Sequence, residues 1–144
     1  MDEKNCEFCD RLSLEKQVIY IDNKIVVIYP RNPIITEHLI IATVRHVEGF
    51  DDLNEDELLS SMKIIKRIFK AFRDKKKAVG FNLFTNIGKK AGQHVPHFHW
   101  NIFVRFDDER ISPYKIINDL SLREEITPEQ WEEKHKLVTS LING

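Results

Sequence analysis

The chain has 144 residues, 42% of them apolar, with 22 Lys and Arg against 23 Asp and Glu. That is enough chain to bury one core, and charges that nearly cancel give no global pull toward nucleic acid or a lipid surface. No apolar run approaches the roughly 20 residues of a membrane span, the opening Met1-Asp2-Glu3-Lys4-Asn5 is too polar for a signal peptide, and two close cysteines do not make a secreted disulfide framework; cytoplasm is the expected location, with no membrane partner and no specific nucleic-acid partner.

The first local signal is Cys6-Glu7-Phe8-Cys9. Taken alone, a C-x-x-C pair is a redox pair, half a metal site, or an accident. A thioredoxin-type role wants a strand before the pair and a helix after it, and only five residues precede Cys6. Residues 17–21 and 24–29 are β-rich runs separated by Asp22-Asn23, which predicts a hairpin. Pro30 and Pro33 break the pattern, and residues 38–44 form a third predicted strand. Asn54 with Glu57 three residues on predicts a helix start with a capping box. Leu58, Met62, Ile65, Phe69 and Phe72 follow at helical spacing and predict one apolar stripe over a helix of residues 54–74. Arg73 and Lys75-Lys76-Lys77 suit the negative end of that helix. No aromatic residue interleaves this basic run, which favours a solvated helix end over a nucleic-acid patch. Residues 79–87 and 97–105 are the fourth and fifth predicted strands, an antiparallel pair joined by the loop 88–92. Thr127-Pro128-Glu129-Gln130 has the cap, the first-turn proline and the third-position Gln of a last helix. Trp131, His135, Val138 and Leu141 share one face of it, with His135 expected at its surface. The class is α+β.

The stretch Gly92-Gln93-His94-Val95-Pro96-His97-Phe98-His99-Trp100-Asn101 carries the most chemistry. By period two, His97, His99, Asn101 and Phe103 share one face of a strand, and Phe98, Trp100, Ile102 and Val104 share the other. Two imidazoles and an amide therefore stand in a row on a stiff support.

This stretch resembles the signature of the histidine triad (HIT) superfamily, His-x-His-x-His with apolar spacers, with Asn101 in place of the third histidine. Gly92-Gln93 is similar to the family's phosphate loop. Asn32-Pro33-Ile34-Ile35-Thr36-Glu37-His38 resembles the segment leading into its third strand, where Pro-Gly-His is usual. Arg45 to Leu53 is similar to the lead-in to its long helix. The resemblance covers residues 6–105; residues 106–144 match no motif and read as a C-terminal extension of one domain spanning 1–144. It implies a HIT-like antiparallel five-stranded sheet with one long helix and a C-terminal helix.

The resemblance also assigns roles, most closely those of the zinc-containing Hint/Fhit-like branch. Cys6, Cys9, His46 and His97 would hold one structural Zn2+ per chain, since four protein ligands leave no open position. His99 would be the nucleophile that forms a nucleotidyl-histidine, with its far ring nitrogen held by the backbone carbonyl of His97. Asn101 and His94 would assist catalysis, although His94 reads equally as a loop histidine. Asn86, Gly92, Gln93, His94, Val95, His99 and Asn101 would bind the phosphate. Phe8, Leu12, Ile28 and Ile40 would line the base slot, or equally serve as plain core. The ribose acceptor falls on Pro30, which has no side-chain acceptor, so a carbonyl or Asn32 would have to substitute. His38 would support the site, or simply bond backbone at a strand start. The implied activity is hydrolysis at the α-phosphate of nucleoside phosphoramidates or dinucleoside polyphosphates. The alternatives are a HIT-type nucleotidyltransferase or phosphorylase, where the third triad position is an amide, and a nucleotide-binding protein with little turnover. The implied partners are a purine nucleotide or nucleotide conjugate and a second copy of the chain.

Overall fold

Five strands form one antiparallel sheet in the order β1-β2-β3-β5-β4 in a computed structural model that describes residues 5–144. The strands are β1 Val18–Ile21, β2 Ile25–Ile28, β3 His38–Thr43, β4 Gly80–Phe84 and β5 His99–Arg105. The helices are α1 Arg11–Leu14, α2 Glu55–Lys76, α3 Pro113–Asn118 and α4 Pro128–Asn143. The opening residues Met1 to Lys4, read above as too polar for a signal peptide, lie outside the described residues. Among the described residues, no helix is long and apolar enough to cross a membrane.

The expected hairpin forms because Asp22 organises it. Its Oδ1 accepts from the backbone N–H groups of Lys24 and Ile25 at 2.7 and 2.8 Å, an Asx-type turn that closes β1 on β2. The strand that carries the histidine row starts later than expected. His97 precedes β5, because Pro96 and two irregular backbone bonds (His97 N–H to Val95 O, Phe98 N–H to Val47 O) keep it out of the ladder. His99 opposes Ala42, and Asn101 opposes Ile40, across the β3–β5 register. Opposed residues share a face, so His99 and Asn101 stand on the side of the sheet that carries Ala42 and Ile40.

The two faces are covered differently. Ile25, Val27, Leu39, Ile41, Ile102 and Val104 are packed under α2 and α4. The opposite face carries two smaller clusters. In one, Cys6, Phe8 and Leu14 of the N-terminal arm cover Val26, Ile28, Ile40 and Ala42. In the other, Ile35 and Ile116 cover Phe103. The edge strand β1 is blunted by α4, whose His135 Nε2 and Asn143 Nδ2 meet the carbonyls of Val18 and Ile19 at 3.0 and 2.9 Å. His135 is thus half-buried and stacked on Trp131, with no role in a site.

α2 begins with the expected capping box: Asn54 accepts from Glu57 N–H at 2.9 Å, and Glu57 accepts from Asn54 N–H at 3.0 Å. Its buried face differs from the predicted stripe. Glu57, Ser61, Ile64, Ile65, Ile68 and Phe72 are inward, whereas Met62 is 39% and Leu59 54% exposed. The helix is turned by about one residue from the predicted face. Its apolar residues permit two overlapping stripes that share Ile65 and Phe72. Glu57 decides between them, because Arg45 reaches it with Nε at 3.1 Å and Nη2 at 2.7 Å. Arg45 also donates to the carbonyl of Asp52 at 3.0 Å, so the exit of β3 is stapled to the start of α2.

Burial alone would raise the Glu57 carboxyl. Arg45 and the Asn54 N–H outweigh it and hold the group below its ordinary value. The stabilisation is therefore complete above the unfolded pKa and is lost as pH falls through the lower folded value. Glu57→Gln should destabilise the protein by roughly 1–3 kcal/mol near neutrality, and the gap to the native chain should narrow below about pH 4. Urea unfolding of both proteins across pH 3–8 checks this; a gap independent of pH contradicts it.

Candidate active site and metal centre

The cysteine pair and two histidines meet at the end of the sheet. Cys6 Sγ lies 3.3 Å from His97 Nδ1, and Cys9 Sγ lies 3.2 Å from His46 Nδ1 and 3.5 Å from His97 Nδ1. All four donor atoms lie within 4.8 Å of one another. A tetrahedron with metal–sulfur bonds of about 2.3 Å and metal–nitrogen bonds of about 2.0 Å has edges of about 3.3–3.8 Å, so the cluster fits one metal ion with little movement. Neither cysteine is in a disulfide. The His97 tautomer is set from behind: its Nε2 lies 2.7 Å from the carbonyl of Thr43, to which it donates, leaving the Nδ1 lone pair toward the thiols. Burial lowers the His97 pKa to about 4, against the opposing pull of the Thr43 carbonyl, so the ring is neutral, as ligation requires.

His99 is oriented in the same manner. Its Nδ1 lies 2.8 Å from the carbonyl of His97, an acceptor, so Nδ1 carries the proton and Nε2 keeps a free lone pair. Burial lowers its pKa, and the His97 carbonyl opposes this only in part. Two residues on, Asn101 is fixed by a second chain of bonds. The backbone N–H of Ile34 donates to His38 Nδ1 at 3.2 Å, which puts the His38 proton on Nε2. His38 Nε2 lies 3.0 Å from Asn101 Oδ1 and donates to it. Asn101 Oδ1 is thereby spoken for, and its NH2 is the end left to donate. Burial lowers His38 to about 4, so this neutral arrangement holds across the physiological range.

His99 and Asn101 line a cleft of about 770 Å³. Its other walls include Asn82 and Phe84 of β4, the loop residues Asn86, Lys90, Gly92, His94 and Val95, and Asn118 and Arg123 beyond β5. The loop needs its glycines: Gly88 and Gly92 sit at φ of 87° and 96°, where side chains are strained.

The HIT domain profile matches residues 11–108. The chain belongs to the HIT family. It is 29% identical over 122 residues to an uncharacterized HIT-like protein of Methanocaldococcus jannaschii, an alignment covering 83% of this chain and 94% of that protein. It is similar in structure to a hypothetical histidine triad nucleotide-binding protein of Sulfolobus tokodaii, at a TM-score of 0.76 and 27% identity, over 96% of this chain and 92% of that one. A Zn-bound histidine triad family protein of Mycobacterium smegmatis shares the fold at a TM-score of 0.76 and 23% identity, over 99% and 96% of the two chains. The profile begins after Cys9, so the thiol half of the metal cluster lies outside the part that defines the family match.

Within this HIT frame, the structure gathers some of the expected residues and separates others. Asn86, Gly92, His94, Val95, His99 and Asn101 share the cleft. Gln93 does not offer its side chain: Oε1 accepts from Gly88 N–H at 2.7 Å and Nε2 donates to Glu48 O at 3.1 Å, so it braces the loop. Phe8, Ile28 and Ile40 are buried against one another and Cys6. They form the floor behind the row rather than the cleft wall; Phe8 meets the His99 ring edge-on at 5.1 Å. Leu12 is 85% exposed and is not among the residues lining the His99–Asn101 cleft. Pro30 has its carbonyl engaged by Trp131 Nε1 at 2.8 Å, and Asn32 lines a separate cavity with Arg31 and Trp131. Sequence reasoning missed Thr43, whose backbone sets the His97 tautomer, and Asn118 and Arg123, which come from a stretch with no periodic pattern.

The metal cluster generates a direct expectation. Cys9→Ser should lower metal content and thermal stability together, because affinity for the ion is folding free energy. Metal assay and thermal unfolding of the native and variant proteins check it. A variant with normal metal content, or a native protein without metal whose stability a chelator leaves unchanged, contradicts it.

Proposed function

We propose that this HIT protein is a nucleotide-binding hydrolase that cleaves at the α-phosphate of a nucleotide conjugate through a nucleotidyl-His99 intermediate. The observation that carries this reading is the free Nε2 of His99, fixed from behind by a backbone carbonyl and facing the cleft beside an oriented amide donor. In the first step the Nε2 lone pair attacks phosphorus, a P–N bond forms, and the bond to the leaving group breaks. The charge developing on the phosphoryl oxygens is met by the Asn101 NH2, by Asn86 and by the loop around Gly92 and Gln93. His94, exposed at the cleft mouth, is the residue assigned to deliver a proton to the leaving group. Water then cleaves the P–N bond and frees His99.

Cys6, Cys9, His46 and His97 are assigned one structural Zn2+, which elemental analysis would report as about one zinc per chain. Bound there, the ion supplies rigidity, pinning the N-terminal arm and the carbonyl that orients His99. Two-fold pairing of chains is supported by exposed apolar residues on α2 and β4, namely Leu59, Met62 and Leu83. A purine nucleotide in a cytoplasmic setting completes the reading.

A second reading, transfer of the nucleotidyl group to phosphate or another acceptor, is favoured by one residue. Asn101 donates a hydrogen bond but moves no proton at neutral pH, unlike the usual third histidine. His99→Ala should abolish turnover of adenosine 5′-phosphoramidate and diadenosine triphosphate while keeping nucleotide affinity within about threefold. Asn101→His separates the two readings. A hydrolase gains rate of water attack. A transferase gains hydrolysis and loses transfer to added phosphate. Full turnover by His99→Ala contradicts both.

A further inference from the structure

Among the described residues, Arg123 has no hydrogen-bond or ion-pair partner. It is half-buried in the wall of the His99–Asn101 cleft, delivered there by the segment that follows β5, together with Tyr114 and Asn118. Its Nε is buried and unbonded, and no ion pair or hydrogen bond joins its guanidinium to a described residue. The neighbouring Glu124 does not compensate it, because its carboxylate bonds the hydroxyl of Thr36. An arginine left unpaired at such a place carries a desolvation cost that a bound anion would relieve.

The cleft as a whole has the same bias. None of its lining residues is an Asp or Glu, and Lys90 adds a second cation from the loop before β5. Four other cavities of the protein each include a carboxylate. A chain of net charge −1 has therefore kept acid out of this one cavity. Arg123 also acts on His38 electrostatically, which sets it near the His38–Asn101 pair rather than at the metal end. The phosphate under attack already has Asn101, Asn86 and the loop as donors.

We infer that Arg123 is a specificity-determining residue that binds phosphate charge on the leaving-group side of the scissile bond, so that the post-β5 segment selects conjugates whose leaving group is itself a phosphate. This rests on the reading of His99 as the attacking group. A guanidinium suits the task because its planar fork grips a phosphate through two parallel bonds.

The test compares native protein, Arg123→Gln and Arg123→Lys on three probes without turnover (AMP, ADP and pyrophosphate) and two substrates. Arg123→Gln should weaken ADP and pyrophosphate binding by about tenfold to a hundredfold and leave AMP within about twofold. Its kcat/KM should fall similarly for diadenosine triphosphate and stay unchanged for adenosine 5′-phosphoramidate, whose leaving group carries no phosphate. Arg123→Lys, which keeps charge but loses the fork, should fall between. Equal losses on AMP and ADP, or on both substrates, would assign Arg123 to the attacked phosphate or to structure and overturn the inference, as would no loss at all. Pyrophosphate separates the two readings. If no nucleotide conjugate turns over but pyrophosphate binding still depends on Arg123, the hydrolase reading falls and the anion subsite stands. If turnover proceeds and Arg123→Gln matches native on every probe, the reverse holds.

Discussion

His97 joins the two halves of the site. Its ring faces the thiols of Cys6 and Cys9, its Nε2 is anchored on Thr43 O, and its carbonyl takes the Nδ1 proton of His99. Because His97 stands just outside β5, its carbonyl is free of the ladder and available to a side chain. The proposed metal would therefore act on the reaction without touching substrate, by fixing the residue whose backbone sets the His99 tautomer. A small displacement of that carbonyl would release Nδ1–H and leave the proton free to sit on either ring nitrogen.

The electrostatic character follows from the same economy. His38, His97 and His99 are each driven toward the neutral form by burial, and each has one ring nitrogen committed to backbone. Neutral rings offer lone pairs, that of His97 toward the thiols of Cys6 and Cys9 and that of His99 toward the cleft. Positive charge at the cleft is placed elsewhere, on Lys90 and Arg123. A third histidine at 101 would merge the two functions; Asn101 keeps them apart, contributing a directed N–H and no titration.

Legibility in the sequence tracked how local each determinant is. The Asp22 turn and the Asn54 and Thr127 capping boxes are set within a few residues, and each formed where the sequence placed it; the β5 alternation formed too, but two residues late, because Pro96 keeps His97 out of the ladder. The buried face of α2 was misread because its register depends on Arg45, ten residues before the helix. The convergence of Cys6, Cys9, His46 and His97 came from family resemblance; no spacing rule connects residues 91 apart in sequence. The apolar positions Phe8, Ile28 and Ile40 carry no mark that separates a cleft wall from a core, and they packed as core. Arg123 was invisible because its significance is the absence of a partner, which only a folded chain reveals.

In the proposed reaction His99 Nε2 becomes covalently bonded to the nucleotide. Rapid acid-free quenching of native protein turning over adenosine 5′-phosphoramidate, followed by intact-mass and peptide mass spectrometry, reads it directly. A transient adduct of one nucleotidyl group per chain is expected, located on the peptide containing His99 and absent from His99→Ala. Turnover without any adduct, or an adduct on another residue, would contradict it.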